Sequence, residues 1–293
     1  MVKPRIVLVK PPIYEVIPKN LPDSFFSYAS QPSALLRFGS YFKSRGYDVS
    51  LIDCTAETSP EDPHSVHNKK YLFHRKCGNY ENEGISEPVY HCGLGFDMFR
   101  KELARIPEPD EIFVTSTMTY HWEPAHKVID ICKEVYPNTP VTFGGIYVTL
   151  CPEHAGMSKA DNIHIGEFPE ANDCRVDLSL LSYKPEYAIL KSTRGCPNKC
   201  SYCAVTTLEG CRMRFRPPED IVDEIEEKIR QGIKHFVFWE SNLLINARNH
   251  FEKILDLIIE KKFNITLETP EGIQPNLLYP ELAFKMKEAG VCK

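Results

Sequence analysis

The chain has 293 residues, long enough for two domains that each bury a core. Its 35 basic residues against 40 acidic ones give a net charge of −5, which excludes a basic footprint of the kind that marks an obligatory nucleic-acid partner. The apolar run Ile6 to Val9 stops at Lys10, too short for a signal-peptide core or a membrane span, and eleven cysteines, an odd number, fit a reducing compartment; the expectation is a cytoplasmic protein.

From the amino terminus, Arg5 to Val9 reads as a strand running into Pro11-Pro12, and Ser33 to Arg45 as a helix with Ala34, Leu35, Phe38 and Phe42 on one face. Asp48 to Asp53 then completes a strand–helix–strand unit of the kind that builds parallel sheets. Thr55 to about Gly95 is rich in Pro, His, Asn, Glu and Gly without period, and reads as an insertion over the strand ends, a candidate lid. Cys77 and Cys92 with His64, His67, His74 and His91 could bind a metal weakly there, or simply pack.

A helix at Phe96 to Ala104, a strand at Glu111 to Ser116, a helix at Glu123 to Tyr136, and strands at Pro140 to Phe143 and Asn162 to Ile165 follow. The fold class expected for residues 1–170 is α/β, a Rossmann-like doubly wound parallel sheet, which binds ligands outside the carboxyl ends of its strands. Those ends carry Lys10-Pro11-Pro12, then Thr115, Ser116 and Thr117 leading to His121-Trp122, then Gly144-Gly145. No GxGxxG follows the first strand, so a dinucleotide is disfavoured. Paired glycines admit a ligand close to the backbone, or simply make a tight turn.

Residues 171–186 have no period and read as a linker. Strand Tyr187 to Ser192 then delivers Thr193-Arg194-Gly195-Cys196-Pro-Asn-Lys-Cys200-Ser-Tyr202-Cys203 onto the loop beyond its carboxyl end, where barrel enzymes keep their chemistry. Three thiolates with no equally close fourth suit an iron–sulfur cluster that keeps one iron open to a small molecule. A structural zinc would need Cys211 or a distant histidine as fourth ligand, and a disulfide would leave one thiol over. Helices Glu219 to Gln231, Arg248 to Lys261 and Pro280 to Ala289 alternate with strands His235 to Trp239 and Asn264 to Glu268. At roughly thirty residues per strand–helix unit, residues 187–293 supply about three units, an incomplete (β/α) barrel. The expectation is a fragment of a longer enzyme, or a chain that a partner completes.

The C-x3-C-x2-C loop, with Tyr202 before its last cysteine, resembles the signature of radical S-adenosylmethionine (SAM) enzymes. Gln31-Pro32-Ser33-Ala34-Leu35-Leu36-Arg37, Thr115 to Tyr120, Gly144-Gly145-Ile146-Tyr147, Cys151-Pro152-Glu153-His154-Ala155 and Gly166-Glu167 resemble the cobalamin-binding domain ahead of the radical domain in cobalamin-dependent members of that family. The resemblance implies a [4Fe–4S] cluster on Cys196, Cys200 and Cys203, S-adenosylmethionine on its open iron, and Tyr202 near the adenine. It further implies Glu240 at the methionyl amino group, Glu271 near the ribose, and cobalamin over Thr115, Ser116, Thr117, Gly144 and Gly145. Glu240 has a bland alternative, an exposed strand-end carboxylate; Arg214 and Arg216 could steady a carboxylate or the cofactor, or form a solvated basic turn. The D-x-H-x-x-G sequence that supplies a histidine to cobalt in many cobalamin proteins is absent after the first strand, which leaves His121 as the imidazole facing that site, or as a residue that caps the following helix.

The implied chemistry is reductive cleavage of S-adenosylmethionine to a 5′-deoxyadenosyl radical, hydrogen abstraction, and in the commonest case methyl transfer from methylcobalamin to an unactivated carbon. An external one-electron reductant such as flavodoxin or ferredoxin is implied, with an unidentified small molecule or peptide as substrate, no membrane, and no strong nucleic-acid signal. The alternatives are a methylthiotransferase-like radical enzyme without cobalamin and a non-catalytic metal-binding module.

Overall fold

A computed structural model describes residues 3–16, 31–55, 74–82 and 85–292. They divide into two compact units, one running to Ala171 with Ser179–Tyr183, the other comprising Asn172–Leu178 and the chain from Lys184 onward.

In the first unit, β1 (Arg5–Lys10) is buried from Ile6 to Lys10, as expected of a central parallel strand covered on both faces. After it come β2 (Ile13–Val16), α1 (Ser33–Ser44), β3 (Asp48–Asp53), β4 (His74–Asn82), β5 (Ile85–Cys92), α2 (Phe96–Arg105), β6 (Glu111–Ser116) and α3 (Trp122–Val135). The unit continues through β7 (Val141–Gly145), the short helices α4 (Ile146–Leu150) and α5 (Pro152–Ala155), β8 (Asn162–Ile163) and α6 (Pro169–Asn172), whose last residue falls in the second unit. Five strands pair in parallel in the order β3-β1-β6-β7-β8. The chain leaves β1 toward β3 and resumes on its other side at β6, so the order reverses between β1 and β6, where such sheets open a crevice.

Side chains of β1 alternate between two cores. Val7 and Val9 pack with Phe99 and Leu103 of α2 and Val128 and Ile129 of α3, whereas Ile6 and Leu8 pack with Leu35 of α1 and Val49. Helices therefore cover both faces of the sheet.

The aperiodic insertion is corrected in part: His74–Asn82 and Ile85–Cys92 form strands, and β2, β5 and β4 make a separate antiparallel sheet. It shows no clean alternation because most of β4 lies open to solvent, β5 buries only Pro88, His91 and Cys92, and the register shifts between Lys76 and Gly78. Residues 56–73 of the candidate lid, with His64 and His67, lie outside the described residues. The ring of His91 bonds the Leu94 carbonyl at 2.9 Å, and burial pushes the Cys92 thiol up to about 12, so both are packed groups.

The second unit comprises β9 (Tyr187–Leu190), β10 (Thr193–Arg194), α7 (Val205–Leu208), β11 (Arg214–Phe215), α8 (Pro218–Arg230), β12 (His235–Phe238), α9 (Phe251–Glu260), β13 (Thr266–Glu268) and α10 (Pro280–Glu288). Its sheet is parallel, in the order β13-β12-β9, with a single parallel bridge from Leu267 onward to Val291. α8 starts with Pro218 in its first turn, followed by Glu219 and Asp220, and buries Ile221, Val222 and Ile225. Among the described residues no helix is long and apolar enough to cross a membrane.

Candidate functional site

Beyond β9 the chain makes the short β10, pairs it antiparallel with β11, and turns at Gly195 into the cysteine loop. Gly195 has φ +83°, and a Cβ there would collide with the carbonyl oxygen of Arg212, so only glycine makes this turn without strain. Gly195→Ala is expected to cost about 1–3 kcal/mol and to lower iron uptake. A melting curve unchanged by the substitution would refute the strain.

Two carboxyl groups, the buried Glu240 and the half-buried Glu209, hold the approach to the loop. Glu240, at the end of β12 and 3% exposed, accepts from the Ser192 amide (2.5 Å), the Thr193 amide (3.0 Å) and the Thr193 hydroxyl (2.6 Å). Glu209 accepts from the Gly195 amide (2.9 Å) and the Ser241 hydroxyl (2.8 Å) and pairs with Lys191 at 2.8 Å. Burial alone would raise Glu209, but the Lys191 charge and these hydrogen bonds outweigh it and hold the carboxyl below its ordinary value. Glu240 thus spends its oxygens on backbone and a hydroxyl, and is neither an exposed strand-end residue nor a group facing outward.

Within the loop Cys196 is buried, while Cys200 and Cys203 are exposed and joined by a turn in which the Cys203 amide donates to the Cys200 carbonyl at 3.1 Å. The side-chain amide of Asn242, just past β12, lies 3.9 Å from the Cys196 sulfur. It also donates to the Gln274 side-chain oxygen at 2.8 Å, and Asn198 donates to the same oxygen at 3.2 Å. Among the described residues no three Cys, His, Asp or Glu side chains converge tightly enough to grip a metal ion, so ligation requires the three sulfurs to turn toward one centre. The donor set itself, three thiols within one loop, fits an iron–sulfur cluster.

Tyr202 stands 90% exposed between the outer two cysteines, and Glu271 is exposed in the turn after β13. Arg214 donates to the Glu209 carbonyl at 2.7 Å, and Arg216 is buried against Glu224 at 2.8 Å. Burial overturns the solvated reading of Arg216, and the carboxylate it steadies is that of Glu224. Glu209 and Gln274 escaped sequence reasoning, because their partners, Gly195, Ser241 and Lys191 for the one and Asn198 and Asn242 for the other, are brought near only by the tertiary fold.

In the first unit, Thr115 and Ser116 end β6, and Gly144 and Gly145 end β7 beside them in register. Gly145, at φ +106°, would press a Cβ onto the Ser116 backbone and within 2.8 Å of the Thr115 hydroxyl; at Gly144 a Cβ would meet only ordinary contacts. The tight approach of β6 therefore accounts for Gly145, and nothing of that kind accounts for Gly144. His121 is buried with both ring nitrogens engaged, Nδ1 with the Thr117 hydroxyl at 3.3 Å and Nε2 with Glu15 at 3.1 Å. Around these strand ends Met118, Tyr120, Trp122 and Ile146 are exposed large apolar side chains. Exposed apolar groups gathered beyond the ends of two adjacent strands mark a binding surface better than scattered ones do. Behind Trp122, the Tyr147 hydroxyl bridges His126 (3.2 Å) and His154 (2.5 Å).

Residues 190–293 match the Radical SAM superfamily. The chain is 25% identical over 199 residues to the hopanoid C-2 methylase of Rhodopseudomonas palustris (strain TIE-1), covering 56% of this chain and 37% of that protein. It is 46% identical over 114 residues to the ribosomal protein uS12 methylthiotransferase RimO of Phocaeicola vulgatus, covering 36% of this chain and 26% of that protein. The chain thus spans between a quarter and two fifths of the length of these relatives. In fold it is similar to the radical S-adenosylmethionine methyltransferase TsrM from Kitasatospora setae, solved with cobalamin and a [4Fe–4S] cluster bound and also with tryptophan and a SAM analogue. For the latter the TM-score is 0.64 at 16% identity, over 99% of this chain and 58% of that one.

Proposed function

We propose, from the premise that residues 190–293 form a radical SAM domain, that the chain is part of a cobalamin-dependent radical enzyme that methylates an unactivated carbon. The observation that carries this reading is the cysteine loop, seated past the carboxyl end of β9 and held there by Glu240 and Glu209. Held by Cys196, Cys200 and Cys203, a [4Fe–4S] cluster would supply the one-electron reduction of S-adenosylmethionine from which radical chemistry starts.

The protein's own residues would hold and shape that site. Cys196, Cys200 and Cys203 would be the ligands, and the exposed Tyr202 and Glu271 would contact the nucleoside. Glu240 and Glu209 fix the backbone from Ser192 to Gly195, so the loop can meet the cluster without reordering its approach.

The first unit would hold cobalamin over Thr115, Ser116, Thr117, Gly144 and Gly145, with Met118, Tyr120, Trp122 and Ile146 as apolar contacts. Because both nitrogens of His121 already have partners, cobalt would carry no imidazole from this residue. The methylase relative, which matches more than half of this chain, supports this reading over one without cobalamin. A second reading, a methylthiotransferase-like enzyme lacking cobalamin, is supported by the higher identity to RimO, although that match covers little more than a third of the chain. The substrate class is a small molecule or peptide, the reductant an external one-electron donor such as flavodoxin or ferredoxin, and the setting the reducing cytoplasm.

Anaerobic purification followed by absorption spectroscopy tests the cobalamin assignment. A corrin spectrum that persists through desalting supports it, and a protein that binds no added cobalamin favours the second reading. Release of 5′-deoxyadenosine from S-adenosylmethionine under a strong reductant tests the radical chemistry, and one bound zinc with no sulfide would leave only a metal-binding module.

A further inference from the structure

We propose that Asn242 sets the reduction potential of the cluster by donating an N–H to the Cys196 sulfur, in an orientation that Gln274 fixes; the inference rests on the cluster assignment above. Asn242 lies in the loop after β12, with its side-chain nitrogen 3.9 Å from the Cys196 sulfur and 2.8 Å from the Gln274 oxygen. Its NH2 group has two hydrogens, one for each acceptor. Turning the amide over would set its oxygen against the Gln274 carbonyl oxygen, acceptor facing acceptor. The observed orientation leaves the Asn242 oxygen buried with no hydrogen-bond partner among the described residues. A buried amide held with its oxygen unsatisfied and its nitrogen toward a sulfur is one whose donor side matters.

Gln274 also accepts from Asn198, which lies inside the cysteine loop between Cys196 and Cys200. One amide oxygen thus ties the loops that follow β9, β12 and β13, and holds Asn242 against the one cysteine of the three that is buried. In that poorly solvated place a hydrogen bond to sulfur counts for more than it would beside the exposed Cys200 or Cys203. A reduced cluster carries one more negative charge, shared over its sulfurs, so an N–H donor favours the reduced form and raises the potential.

The test is a redox titration followed by electron paramagnetic resonance on the anaerobically reconstituted full chain, without S-adenosylmethionine, with iron and sulfide counted in parallel. For Asn242→Leu, which keeps the volume and removes the donor, the ratio of reduced to oxidised cluster at a fixed potential is expected to fall roughly tenfold, about 59 mV for a one-electron couple. Asn242→Asp, which sets an acceptor against the sulfur, is expected to shift it at least as far in the same direction. Gln274→Leu, which frees the amide to turn, is expected to shift it less. Asn242→Leu with full iron and an unchanged midpoint overturns the inference while the cluster assignment stands. If that variant takes up no iron, unchanged midpoints in Asn242→Asp and Gln274→Leu overturn it equally. A parent chain that takes up no cluster overturns both.

Discussion

Arg216→Met is expected to lower the stability of the second unit by about 3–5 kcal/mol, read as a fall in the denaturant midpoint. The guanidinium lies 2.8 Å from Glu224, and both side chains are almost wholly enclosed. Glu224 also accepts from the Val176 amide at 3.0 Å, and Arg216 reaches the Lys191 carbonyl at 3.3 Å, just before the backbone that Glu240 holds. Removing the guanidinium leaves a buried carboxylate without it, and taking two charges out of water is tolerable only while they are paired. The double variant Arg216→Met with Glu224→Leu should therefore recover much of the loss, since an apolar pair of similar volume avoids the desolvation cost. A single variant as stable as the parent would show that the pair contributes nothing to the fold.

Glu240→Ala is expected to cost about 3 kcal/mol, because the Ser192 and Thr193 amides and the Thr193 hydroxyl lose their acceptors in a place water does not reach. Iron uptake should fall with it, since those residues lead directly into the cysteine loop. Glu240→Gln keeps one acceptor oxygen and should fall between the parent and Ala. If Glu240 acted instead on S-adenosylmethionine, Glu240→Ala would bind the nucleotide poorly yet melt where the parent melts, and that result would refute the clamp.

These residues show where sequence reasoning succeeds and where it stops. The doubly wound sheet could be read because Ile6 to Val9 is apolar on both faces and the helices repeat with a period near 3.6, signals that local sequence carries alone. The cysteine loop could be read because thiolate ligands admit few substitutes and their spacing is short. The β4–β5 hairpin could not, since polar strands that bury little have no alternation to show. The brief helix α4, Ile-Tyr-Val-Thr-Leu, is rich in β-branched residues that favour strands, and only its packing, with Tyr147 and Val148 buried, makes it helical. The place of Glu240 at a strand end follows from the pattern, but its role as a clamp does not, because the three donors that claim it come from a neighbouring strand's exit. The amide chain of Asn198, Gln274 and Asn242 is harder still, as its members lie on three separate loops.

The most direct test of the central claim is the iron and sulfide content of the anaerobically reconstituted chain, measured beside the Cys200→Ala and Cys203→Ala variants. Both cysteines are exposed and bury little, so the variants should fold as the parent does. The parent is expected to hold about four iron and four sulfide and to show a cubane signal when reduced, and each variant to lose it. Iron content that does not change on removing either sulfur, or a parent that takes up one zinc and no sulfide, would contradict it.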